Sequence, residues 1–191
     1  MCKFNLFISQ KSIILHEYIK SHENIFKNKK ILEISCGCGL VSFTLSLINA
    51  DLVIATDLED ILNSNTENNL KLNNLRERKN IKLMPLEWNN KDHMNNLINS
   101  YKKIDFIFLS ECLYEEAPFE KLLITLIKLA KYYKEVQIFF CYKKRYIYQE
   151  KCIEKLKNYF SIENIDRNEI YQDFRYNDNY QFFKIKLINY N

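Results

Sequence analysis

Both glycines of this 191-residue chain stand in one loop, Cys36-Gly37-Cys38-Gly39. At average usage of about 7%, a chain this long would hold roughly 13. Two glycines gathered at i, i+2 therefore mark backbone that must reach positive φ or lie against a ligand. Before the loop runs the short apolar stretch Ile31-Leu32-Glu33-Ile34, and after it the long apolar stretch Leu40 to Ile48. This reads as strand, tight loop and buried helix, the helix aiming its first amides at whatever the loop holds. Residues 51 to 56 form a second short strand closed by Asp57. Asp57 lies 57 − 37 = 20 positions past Gly37, the spacing at which a nucleotide-binding βαβ unit sets an acid on ribose hydroxyls.

The rest of the chain continues the alternation. An amphipathic helix is expected over 11–27, covering a sheet edge or the ligand, and a helix over about 59–73 with Leu58, Ile61, Leu62 and Leu70 inward. Ile81 to Met84 reads as a strand closed by Pro85, which cannot donate to a ladder. After a polar helix near 91–101, residues 104 to 110 are too apolar for alternation and so are covered on both faces. Pro118 opens a helix with Phe119, Leu122, Leu123, Leu126, Ala130 and Tyr133 on one stripe. A strand over 136–142, a helix over 146–158 and a closing strand pair, 160–165 and 180–188, complete the chain. Strands alternating with helices imply a parallel, doubly wound sheet; two final strands with no helix between them imply an antiparallel hairpin at one edge. That hairpin argues against a dinucleotide-binding domain, which needs a parallel sixth strand.

Composition narrows the function classes. With 47% hydrophobic and 27% charged residues, the chain can bury the core of one α/β domain spanning 1–191, with 1–28 an N-terminal segment and helix over the cofactor or acceptor site. The net charge of +4 comes from dispersed lysines without a run of like charges, so a nucleic-acid partner is not expected. No apolar run reaches the roughly 18 residues that span a bilayer. A soluble monomer of the cytoplasm, or of the nucleus, is expected. The six cysteines include no C-x-x-C pair and the three histidines none at zinc-ligand spacing, so reduced thiols and no metal are expected.

Five segments carry a resemblance: Glu33-x-Ser35-x-Gly37-x-Gly39, Thr56-Asp57-Leu58, Leu86-Glu87-Trp88, Ser110-Glu111-Cys112-Leu113-Tyr114 and Tyr142-Lys143-Lys144-Arg145-Tyr146. In order and spacing, from about residue 8 to 188, the chain resembles methyltransferase family 16, the seven-β-strand protein-lysine methyltransferases that use S-adenosylmethionine. The resemblance implies a Rossmann-like class I methyltransferase fold: a seven-stranded, mostly parallel sheet with an antiparallel C-terminal strand and helices on both faces. It implies a cofactor site made of Glu33, Ser35, Gly37 and Gly39 toward the methionine part, Asp57 at the ribose, Leu58 and Trp88 at the adenine, and Ser110. Glu111 and Tyr114 would be catalytic, lining the pocket of a lysine-bearing protein substrate. Three positions depart from the family pattern: Ser35 replaces its first motif glycine, Glu111 its usual Asp, and Ser9 a Trp.

Simpler roles compete for the same residues. Asp57 at a strand end could cap the following helix, Trp88 and Tyr114 could be core, and Arg145 is best read as an ion-pair residue. A cofactor-binding scaffold without catalysis, or a methyltransferase for RNA or a small molecule, are the alternative functions.

Overall fold

A computed structural model describes residues 8–113, 118–170 and 172–188. Seven strands form one sheet: β1 (Lys30–Ile34), β2 (Leu52–Asp57), β3 (Ile81–Pro85), β4 (Phe106–Ser110), β5 (Gln137–Lys143), β6 (Phe160–Asn164) and β7 (Tyr180–Leu187), in the order 3-2-1-4-5-7-6. β1 to β5 run parallel, and β7 lies antiparallel to both β5 and β6. The helices are α1 (Gln10–Ser21), α2 (Glu23–Phe26), α3 (Leu40–Leu47), α4 (Glu59–Ile61), α5 (Glu67–Leu72), α6 (Lys91–Ser100), α7 (Phe119–Tyr132), α8 (Ile147–Lys157) and α9 (Gln172–Arg175).

Period-2 alternation in the central strands sorts the core into two layers. Ile107, Leu109, Ile138 and Phe140 face the stripe of α7 with Leu122, Leu126 and Leu129. Phe108 and Phe139 point the other way and stack at 4.9 Å, joined by Phe26 from α2 and Tyr18 from α1. Among the described residues no helix is long and apolar enough to cross a membrane.

Four local differences from the sequence expectation have physical causes. The helix over 11–27 breaks at His22, whose φ −122°, ψ 29° leaves the helical region, giving α1 and α2. Pro118 stands one place before α7 as its N-cap, its ring-fixed φ of −71° already helical. The helix over 59–73 carries a π-helical turn, Leu62–Thr66, between α4 and α5. The last two strands are separated by a 3-10 turn, Arg167–Glu169, and by α9. The hairpin lies at the sheet edge as expected, but its second strand takes the inner slot. β7 buries Phe182, Phe183 and Ile185, whereas β6 exposes most of its residues, so the apolar strand sits between two neighbours and the polar one forms the rim.

Candidate active site

The strand order reverses between β1 and β4, and ligands in open α/β sheets settle at the carboxyl ends of strands beside such a switch point. A cavity of about 580 Å³ opens there. Ser35, Cys36, Gly37 and Cys38 line it after β1, Asp57 and Leu58 after β2, Leu86 and Trp88 after β3, and Ser110 and Glu111 after β4. Ser9, the N-cap of α1, and Ser12 close one side.

The loop after β1 is shaped by left-handed backbone. Gly37 has φ +54° and Gly39 φ +89°. A Cβ built on Gly37 would meet none of the described residues within 4 Å, which leaves an open cradle for a ligand, while one on Gly39 would strike the Phe43 ring at 2.6 Å. Gly39 thus serves the packing of α3. Ser35 also has positive φ, +58°, a region of backbone space that glycine enters most freely.

Asp57 is bound to the loop and caps no helix. Its Oδ2 accepts the Gly37 N–H at 2.8 Å and its Oδ1 the Leu58 N–H at 2.8 Å, while α4 begins without a side-chain cap. Each oxygen accepts one backbone N–H and has capacity for another donor, and Asp57 lines the cavity. Burial holds the carboxyl above its ordinary pKa. Leu58 is exposed into the cavity, and the half-buried Trp88 lines it while packing on the core.

Glu33 lies behind the loop and does not line the cavity. It is 1% exposed; its Oε2 accepts from both Ser42 N–H, at 2.8 Å, and Ser42 Oγ–H, and its Oε1 is buried without a hydrogen-bond partner among the described residues. Desolvation lifts its pKa from 4.5 to about 8. The folded state therefore keeps a proton that the unfolded chain has released, and stability present below pH 4.5 is lost as pH rises to about 8. At about 1.36 kcal/mol per unit this approaches 5 kcal/mol. Melting temperatures measured between pH 5 and 8.5 should fall more steeply for the wild type than for Glu33→Gln; equal slopes would refute the assignment.

Glu111 is the junction of three elements. It holds φ +60°, donates its N–H to Cys141 O at 3.0 Å, and carries a cation on each oxygen: Lys11 of α1 on Oε2, and Arg145, at 3.1 Å, on Oε1. Left-handed backbone in a non-glycine residue costs on the order of 1–3 kcal/mol and gathers at working sites. Lys11 is only 3% exposed, and burial followed by the Arg145 guanidinium pushes its pKa down to about 8. The next turn is braced by Gln149, whose Nε2–H donates to Leu113 O at 2.6 Å. Tyr114 lies outside the described residues.

Sequence reasoning passed over Lys11, Ser12 and Gln149. Lys11 did leave a signal: it shares the buried stripe of Ile14, Leu15 and Tyr18, a place where an unpartnered lysine does not belong. Among the described residues no group of three or more His, Cys, Asp or Glu is placed to hold a metal.

Solved structures share this architecture. The ribosomal protein L11 methylase of Lactobacillus delbrueckii subsp. bulgaricus superposes with a TM-score of 0.64 at 17% identity, covering 96% of this chain and 81% of that one. Magnesium protoporphyrin IX methyltransferase of Synechocystis PCC 6803, solved with bound S-adenosylmethionine, superposes with a TM-score of 0.62 at 16% identity, covering 94% and 79%. The fold is that of the class I, Rossmann-like methyltransferases. The profile of the lysine methyltransferase family matches residues 5–159, and the chain belongs to that family. It is similar to the protein-lysine methyltransferase METTL21E of Mus musculus, 28% identical over 165 residues, which is 85% of this chain and 66% of that protein. The chain spans about half to two thirds of the length of such curated relatives.

The cofactor is S-adenosylmethionine, and the residues present fit it. Gly37 offers an open cradle, Asp57 a two-oxygen acceptor, and Leu58 with Trp88 apolar area for a purine.

Proposed function

We propose that this protein transfers a methyl group from S-adenosylmethionine to a lysine side chain of a protein substrate. The observation that carries the reading is the single cavity that joins the Gly37–Asp57–Trp88 wall to Ser110 and Glu111. Glu111, with φ +60°, lines the same cavity as Gly37, Asp57 and Trp88, which supports this reading.

When bound, S-adenosylmethionine supplies an electrophilic methyl that leaves its sulfur for the acceptor nitrogen, the C–S electron pair staying on sulfur. The chain's task is positioning and proton management. A lysine of pKa near 10.4 costs roughly 4–5 kcal/mol to deprotonate at pH 7. Glu111 retains lone pairs beyond those taken by Lys11 and Arg145, so it orients the arriving nitrogen. The two fixed cations beside it favour the neutral amine over the ammonium. The released proton passes to water at the cavity mouth. Relatives named as protein-lysine methyltransferases support the choice of acceptor.

Incubating the protein with a cell lysate and methyl-labelled cofactor tests the proposal. Label should appear on protein, and mass spectrometry should place it on lysine. Label in RNA or in small molecules would replace the acceptor, and no label anywhere, with cofactor binding intact, would favour a scaffold.

A further inference from the structure

The loop that receives the cofactor is built from glycine, the residue with the most freedom to lose, so something outside it must fix its peptides. One edge is held by Asp57. The other is held by two side chains from the helical segment after β2, both fully buried. Thr66 donates its hydroxyl to Gly37 O at 2.7 Å, and Asn69 donates Nδ2–H to Cys38 O at 3.1 Å. Thr66 Oγ1 also lies 3.6 Å from Cys36 Sγ. The Cys36 thiol is pushed well above its ordinary pKa by burial, so it stays protonated and supplies the hydrogen, completing a chain from Cys36 through Thr66 to the Gly37 carbonyl.

The π-helical turn makes this possible. It closes with Glu67 N–H on Leu62 O, an i→i+5 bond, and so inserts an extra residue into the helix. Ile61 and Asn65 then line the cavity, while Thr66, the very next residue, faces the loop.

We infer that Thr66 and Asn69 are positioning residues for S-adenosylmethionine, holding the Gly37 and Cys38 peptides in the conformation that accepts it. The inference rests on the cavity being the cofactor site. Both peptide planes flanking the Gly37 Cα are clamped, by Asp57 on the N–H side and by Thr66 on the C=O side. Preorganisation of this kind lowers the ordering cost that binding must meet.

Calorimetric titration of the full chain with S-adenosylhomocysteine tests this. Thr66→Val removes the hydroxyl at constant shape and should weaken binding about tenfold or more, whereas Thr66→Ser, which keeps the donor, should bind within about twofold of wild type. If Thr66→Val does not fold, Asn69→Asp, which sets an acceptor against the Cys38 carbonyl, should weaken binding similarly. Wild-type affinity in Thr66→Val, or an equal loss in Thr66→Ser, would overturn the inference and assign Thr66 to packing. Failure of the wild type itself to bind would overturn the cofactor site as well.

Discussion

Asp57→Ala should lose almost all of the stabilisation that S-adenosylhomocysteine gives the wild type. The carboxylate fixes Gly37 N–H and Leu58 N–H and has capacity for another donor on each oxygen, so its removal costs the loop conformation and the ribose acceptor together. At a ligand concentration one hundred times the wild-type Kd, linkage contributes about 2.7 kcal/mol. A variant that binds a hundredfold more weakly keeps only about 0.4 kcal/mol by the same relation. Thermal shift at matched ligand concentration reads the difference directly. A variant stabilised as much as the wild type would show that Asp57 serves the loop alone, and equal stabilisation of the wild type by NAD would return the cavity to dinucleotides.

The second large effect is expected at Glu111, and its companion residue gives it two separable parts. Glu111→Ala strips Lys11 of its counter-charge while the ammonium remains 3% exposed. Breaking a buried pair from one side costs about 3–5 kcal/mol, and turnover should fall about a hundredfold, as for a lost positioning contact. Glu111→Ala combined with Lys11→Met removes the stranded charge. The double variant should recover most of the stability and none of the turnover. Chemical denaturation alongside methyl transfer to the labelled substrate separates the two. Recovery of both would show that the pair is scaffold and that the acceptor is oriented elsewhere, whereas loss of cofactor affinity beyond a few fold would move Glu111 into the cofactor site.

Residues of the site leave different kinds of signal in the sequence. The glycine loop was legible because glycine scarcity made its position informative, and Asp57 because a fixed spacing follows from βαβ geometry. The strand sequence followed from runs of apolar residues such as Phe106 to Leu109. What escaped were relations between distant segments. Nothing local in Thr66 or Asn69 tells that their hydrogen bonds end on the Gly37 and Cys38 carbonyls, 29 and 31 residues away. The π turn is a one-residue slip that periodicity cannot resolve within a short amphipathic segment. Glu33 was expected at the cofactor; its apolar neighbours Leu32 and Ile34 already marked a buried strand, and the acid shares their burial. The clamp on Glu111 joins α1 to the end of β5 across the sheet, a contact only the folded chain creates.

The inner slot of β7 has a consequence for how the protein is made. β5 pairs through Ile138 to Lys143 with a strand that leaves the ribosome some forty residues later, and among the described residues β6 pairs with that same strand alone. During synthesis the apolar flank of β5 is therefore an open seam, and unpaired strand edges in incomplete chains are sites of aggregation. A chain ending before Tyr180 would leave the Ile138 to Lys143 edge of β5 without the strand that covers it in the folded protein.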